Sequence, residues 1–314
     1  MKRSGWTRAA MTVLVLAGVF LLASCGAAPT ASNAGGKLKV TTTIGMITDI
    51  VKEVGGEHVE VTGIMKAGVD PHLYKASEGD IGKLDRADVI FYNGLHLEGK
   101  MVEIFEKMSK SKKTVAVSSG IDEAKLLAGD PQLGTAHDPH IWFDVKNWMS
   151  AVETVRDELA KVDSAHADSY RANADAYLKK LEELDAYAKA QIGSIPEQQR
   201  VLVTAHDAFG YFGRAYGIKV MGLQGISTAS EAGTKDVTEL RDFLVSNKIK
   251  AVFIESSVPR KAIDAVIQGA KEKGHTIVIG GELFSDAMGE DGTPEGTYIG
   301  MVRHNVDTIV KALK

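Results

Sequence analysis

The tripeptide Asp-Pro-His occurs twice, at Asp70-Pro71-His72 and Asp138-Pro139-His140. Proline fixes its own φ and pushes the preceding residue towards extended geometry, so each histidine is presented from a stiff corner and loses little entropy when a ligand orders it. That suits metal coordination. Two more groups stand out, His206 in Thr204-Ala-His-Asp-Ala-Phe209 and Asp286 in Glu282-Leu-Phe-Ser-Asp-Ala-Met288. Any one of these histidines alone reads as an ordinary polar residue at a strand end. Together, three neutral imidazoles and one carboxylate make an N₃O set with one negative charge. Such a set suits zinc, manganese or another first-row divalent ion and is poor for calcium or magnesium, which want oxygens. Imidazoles must be neutral to ligate, so affinity is expected to fall as pH drops through about 6.5.

The elements that must position these groups are legible in the hydrophobic pattern. Short β-branched runs, each followed by a turn and a helix-like stretch, cover Leu38–Thr43, Val59–Ile64, Asp88–Tyr92 and Thr114–Val117. They recur at Val201–Thr204, Ile218–Leu223, Ala251–Ile254 and Thr276–Ile279. Strands alternating with helices predict parallel sheets, and two sets of four predict an α/β protein of two lobes, each a four-stranded parallel sheet flanked by helices. Ligands in such sheets bind beyond the carboxyl ends of strands, and the four candidate groups each follow a strand or precede a helix, two in each half. Between the halves, the stretch from Asp163/Ser164 to about Gly193 is rich in Ala, Leu, Glu and Lys and stops at Gly-Ser-Ile-Pro196. It predicts one helix, a rigid strut of roughly 43 Å that restricts how far the lobes can separate. The predicted layout is an N-terminal lobe over 37–162, the connecting helix over 163–193 and a C-terminal lobe over 194–314.

Composition narrows the function classes. The 314 residues are 44% hydrophobic and 25% charged, enough for two ordinary cores. A net charge of −4, with no basic block beyond the extreme N-terminus, lacks the electrostatic footprint of a nucleic-acid partner. The single cysteine, Cys25, excludes a disulfide framework and a Cys-based zinc knuckle, so His and carboxylates must hold any metal. Cys25 follows a basic start (Lys2, Arg3, Arg8) and a 13-residue apolar run from Met11 to Ala23. A bilayer core needs about 20 helical residues, so this run is too short to span one and reads as a secretory signal over residues 1–24. Leu22-Ala-Ser-Cys25 resembles the bacterial lipobox, which implies cleavage before Cys25 and lipid on its sulfur and new amino group. Residues 25–36, small and polar, are predicted to be a flexible tether. Cleavage removes three basic residues and no acidic one, taking the net charge from −4 to −7, as befits a collector of cations.

Five segments carry a resemblance to a known family. Asp70-Pro-His-Leu-Tyr74, Asn93-Gly-Leu-His-Leu-Glu98, Asp138-Pro-His-Ile-Trp-Phe-Asp144, Thr204-Ala-His-Asp-Ala-Phe-Gly-Tyr-Phe212 and Ser285-Asp-Ala-Met-Gly289 resemble the metal-binding receptor lipoproteins of bacterial ABC importers, the zinc and manganese group that includes TroA and ZnuA, with a pattern nearest the TroA type. The resemblance spans 37–314. It implies a metal between the lobes, held by His72, His140, His206 and Asp286, and delivery to an importer permease with its ATPase from a monomer anchored outside the cytoplasm. Zinc-specific relatives often carry a long His- and acid-rich loop before the second motif, where this chain has only Gly129–His137, and manganese-specific relatives commonly have Glu where this chain has His206. With three imidazoles, zinc is favoured over manganese on affinity.

Asp144 and Asp207 flank ligands and are expected to orient imidazole N–H groups. His137 reads as an exposed loop residue and His96 as a packed polar one. Trp142 and Phe143 read as core. The alternatives are a surface adhesin lipoprotein on the same fold and, least favoured, a zinc metallohydrolase. Four candidate ligands leave no open position on the metal, and no Glu sits beside a ligand as in His-Glu-x-x-His.

Overall fold

The first half is built on one parallel sheet. Strands β1 (Leu38–Thr42), β2 (Val59–Gly63), β3 (Val89–Tyr92) and β4 (Lys113–Ala116) lie in the order β2-β1-β3-β4. Helices α1 (Gly45–Gly55), α2 (Glu78–Arg86) and α3 (Val102–Met108) connect them. In α1, Met46, Ile47, Ile50, Val51 and Val54 form a fully buried stripe against the sheet. In this computed structural model residues 36–131 and 133–314 are described. The expected signal segment, Cys25 and most of the expected tether lie outside the described residues.

Two long helices follow, α4 (Val145–Val162) and α5 (Ala167–Gly193). The second is the expected connecting helix, 27 residues and so about 40 Å long. It buries Ala167, Tyr170, Ala174, Tyr177, Leu181, Leu184, Ala188 and Ile192, three or four residues apart on one face. It starts at Ala167 rather than at Asp163/Ser164 because Asp163 terminates α4 and Ser164–His166 form a tight 3₁₀ turn. The Asp163 carboxylate accepts from Tyr170 Oη at 2.6 Å and His166 Nδ1 at 2.7 Å, which pins that corner.

The second half carries β5 (Val201–His206), β6 (Lys219–Gln224), β7 (Ala251–Glu255) and β8 (Val278–Leu283), with helices α6 (Gly210–Tyr216), α7 (Thr234–Ser246), α8 (Lys261–Glu272) and α9 (Tyr298–Leu313). All four strands pair in parallel, but as two pairs, β5-β6 and β7-β8, with β5 lying beside β7 and no main-chain ladder between them. This differs from the continuous four-stranded ladder expected. The last strand is also displaced from the expected 276–279. It runs through Gly280 and Gly281, where a Cβ would meet Phe253 and Ala312 at 2.8 Å and Thr308 at 2.4 Å respectively. Without side chains, these two positions let α9 pack onto β8.

Residues 37–314 form one compact unit. Its main hydrophobic core runs without a break from Val40 and Phe91 through Trp148 and Leu181 to Tyr298 and Ile309, so the halves share an interior. A second, smaller core lies between the strands and α7 and α8, around Val203, Leu244, Val252 and Ile263.

Candidate metal centre

His72, His140, His206 and Asp286 converge. One ligand atom from each lies within 4.8 Å of all the others. His72 Nε2 is 3.3 Å from His140 Nε2 and 3.4 Å from Asp286 Oδ2, His140 Nε2 is 3.4 Å from Asp286 Oδ1, and His206 Nε2 is 3.3 Å from Asp286 Oδ2. A tetrahedron with bonds of about 2.0–2.1 Å to a central ion has edges of about 3.3–3.4 Å. Four of the donor separations match such edges, with His72 and His206 facing Oδ2 of Asp286 and His140 facing Oδ1. All four side chains are buried, from 0% exposure for His140 and His206 to 4% for His72. His206 Nε2 and both carboxylate oxygens of Asp286 have no hydrogen-bond partner. Leaving buried polar atoms unsatisfied is costly, and a cation at their centre would satisfy all three.

Each ligand has its own support. In both Asp-Pro-His corners the aspartate accepts the N–H of the histidine two residues on, Asp70 from His72 and Asp138 from His140, at 2.9 Å each. Asp138 Oδ1 also accepts from His140 Nδ1 at 2.7 Å, so Nε2 is the atom aimed at the centre. His206, the last residue of β5, is held by the last residue of β7. Glu255 Oε1 accepts its main-chain N–H at 2.9 Å and Oε2 faces its Nδ1 at 2.5 Å. A side chain thus bridges β5 and β7 at the seam where no ladder forms. Asp286 follows Ser285, whose carbonyl accepts from Trp142 Nε1 at 3.0 Å.

Further bonds tie the halves together around the site. Thr228 Oγ1 donates to Asp70 at 2.6 Å and Tyr211 Oη to the Asp138 carbonyl at 2.9 Å. Tyr298 Oη donates to the Trp142 carbonyl at 2.6 Å.

Charge follows from this arrangement. Burial alone would push both His140 and His206 down. Asp138 and Asp286 outweigh it at His140 and raise that imidazole to about 9, while Glu255 and Asp286 carry His206 well above the ordinary value. Burial dominates at His72, where Asp286 compensates only in part and the imidazole falls to about 3. Burial would raise Asp286, but His206 and His140 hold it well below the usual carboxylate range. The carboxylates thus favour positive charge on His140 and His206, a charge that a divalent cation at the centre would supply instead.

The two carboxylates expected to steady imidazoles make no hydrogen bond to a ligand ring. Asp144 caps α4 through Lys146 N at 3.0 Å and lies 3.6 Å from Arg214. Burial and the neighbouring Asp138 raise the Asp207 carboxyl, the charges of His140 and His206 oppose this in part, and its main-chain N–H donates to Gly225 O at 3.3 Å. Asp138 and Glu255 have the expected role instead. The Asp138 contact could have been found in the Asp-Pro-His repeat itself. Glu255 has no local signal, although a residue ending a strand beside β5 occupies the same layer as His206. His137 lies 3.6 Å from Glu123, away from the four, and His96 is exposed rather than packed. Trp142 is core, as expected, but also contacts the Asp286 segment.

A family model described as the zinc-uptake complex component A, periplasmic (ZnuA), matches residues 40–312. The chain belongs to this family. This ZnuA-family chain is 52% identical over 308 residues to the manganese-binding lipoprotein MntA of Bacillus subtilis (strain 168), covering 98% of this chain and 100% of that protein. It is 51% identical over 280 residues to the zinc-binding protein TroA of Treponema pallidum (strain Nichols), covering 89% and 90%. The solved structure of that periplasmic zinc-binding protein superposes with a TM-score of 0.86, covering 88% of this chain and 99% of that one. The iron ABC transporter substrate-binding lipoprotein MtsA of Streptococcus pyogenes serotype M1 is 34% identical over 302 residues, covering 94% and 95%.

Proposed function

We propose that this protein captures one divalent transition-metal ion outside the cytoplasm through His72, His140, His206 and Asp286 and delivers it to the permease and ATPase of an ABC importer. The observation that carries this reading is the convergence of four buried side chains, with four donor separations of 3.3–3.4 Å and three donor atoms unsatisfied. Delivery rather than catalysis follows from the donor count, because four protein ligands leave a zinc ion no open position for a reacting water. The importer is supported by the family's description as an uptake-complex component and by MtsA, named as an ABC transporter lipoprotein.

The cargo is zinc or manganese. Three imidazoles favour zinc on affinity, and relatives above 50% identity are named for manganese in one case and zinc in the other, so the ion transported need not be the one bound most tightly. All four donors come from one chain, so a monomer suffices. Cys25, lipidated after cleavage at residue 24, is the anchor. Mass spectrometry of the mature protein checks it, an unmodified thiol being the adverse result.

Replacing His206 with Ala removes a donor and the contact that Glu255 braces. Calorimetric titration is expected to show zinc and manganese affinity falling by orders of magnitude while the apo protein stays folded. Parent-like binding by His206→Ala would refute the site.

A further inference from the structure

Among the four donors, His72 borders a cavity of about 150 Å³ that opens beside the site. A second imidazole, His96, lines the same cavity, together with Gly99, Lys100, Asp130 and Ile226. His96 is exposed, whereas His72 is 4% exposed and His140, His206 and Asp286 are at 0 to 1%. The cavity thus has an imidazole at its outer wall and a ligand imidazole at its inner one.

The loop holding His96 is built at a cost. Gly94, Leu95 and His96 all have left-handed backbones, with φ of 85°, 53° and 68°. Such a run is unfavourable for side chains other than glycine and persists only where the surroundings impose it. Here they do. The carboxylate of Glu98, 2% exposed, accepts from Thr43 Oγ1 at 2.7 Å, Asn93 N at 2.8 Å and Gly94 N at 3.4 Å. Asn93 Nδ2 also donates to the Pro139 carbonyl at 3.0 Å, linking this loop to the corner that carries His140. The ring is seated against Gly99, where a Cβ would come within 2.8 Å of His96 Nδ1 and Cε1. His96 also lines a larger groove at the carboxyl ends of β3 and β4, with Glu103, Glu106, Glu123 and His137 on its wall and no Lys or Arg among its lining residues. A groove of that charge raises the local concentration of cations.

We propose that His96 is a transient metal ligand, an outer imidazole that takes the ion from the acidic groove and passes it through the cavity to His72, and receives it again on release. The proposal rests on the four-donor site above. An ion in a closed set of four buried ligands must shed them to leave, and a donor next to the outermost one lets ligands be exchanged one at a time. A residue on that path accelerates loading and release together without contributing to the final complex, so affinity stays nearly constant.

The test is stopped-flow zinc loading and zinc release into excess chelator, with equilibrium titration on the same samples. His96→Asn tolerates the left-handed backbone, shortens the side chain and removes the imidazole. It is expected to slow both rates about tenfold while leaving Kd within about twofold. His96→Phe, which fills the space without a donor, is expected to do the same, and Gly99→Ala, which dislodges the ring, is a third route to the same loss. Rates for His96→Asn equal to or faster than the parent's would overturn the proposal, faster exchange marking a steric plug. If the parent binds zinc stoichiometrically and His206→Ala does not, but His96→Asn exchanges like the parent, only this inference fails. If the parent itself does not bind, the site fails.

Discussion

His72 and His140 reach the centre from Asp-Pro-His corners, and the aspartate that steadies each lies two residues back. His206 and Asp286 reach it from the strand ends of the second half, and what steadies them is distant in sequence, Glu255 being 49 residues from His206 and Trp142 being 143 from Ser285. The first pair is preorganised by the local chain. The second acquires its geometry only when β5, β7 and β8 are assembled and the halves have joined. In this protein, half of the site is a property of short peptides and half is a property of the fold.

That contrast can be broken by removing one support from each pair. Asp138→Ala and Glu255→Ala are both expected to weaken zinc binding about 10- to 100-fold, as loss of a carboxylate behind a ligating imidazole generally does. Both changes strand a buried main-chain N–H, that of His140 and that of His206, a loss of about 1–3 kcal/mol each. Glu255→Ala is expected to lower the melting temperature of the metal-free protein further, because it also opens the seam between β5 and β7. Titration and melting of both variants check this, and equal melting losses for the two would remove the distinction.

Proton linkage sharpens it next. His140 lies at about 9 and His206 well above its ordinary value, whereas His72 at about 3 is already neutral. The metal must displace a proton from each raised imidazole, so affinity rises with pH through the neutral range and falls as pH drops from about 9, not merely below 6.5. Zinc titrations at pH 7 in buffers of different ionisation enthalpy are expected to show release of up to about two protons per ion, one attributable to each pair. Release near zero would contradict the charge balance of the site.

The smallest effect belongs to a residue that lies close in sequence but not in role. Asp144→Ala is expected to leave zinc affinity unchanged and to cost about 1 kcal/mol of stability through loss of the α4 cap. A fall in affinity without a melting change would restore it to the site.

Legibility followed the same division. All eight described strands, the connecting helix and the four converging side chains are readable because parallel βα units and Asp-Pro-His corners write themselves into local pattern. The pairing of the second-half strands is not, since the β5–β7 seam is closed by the Glu255 side chain rather than by anything periodic. Nor is the β8 position, because the strand runs on through Gly280 and Gly281, which supply no β-branched pattern but leave room for α9. Asp144 and Asp207 lie next to ligands along the chain, but one is drawn into a helix cap and the other acts on His140 and His206 through its charge without a hydrogen bond to either ring. The contact that matters for His206 comes from another strand.

Whether three imidazoles and one carboxylate from the two halves hold a single ion is read out by X-ray absorption spectroscopy of the zinc-loaded protein. The expected result is one zinc per chain in a nitrogen and oxygen environment at about 2.0–2.2 Å, with the outer scattering of three imidazoles, reduced to two in His206→Ala. A sulfur neighbour, or an imidazole count unchanged in that variant, would contradict it.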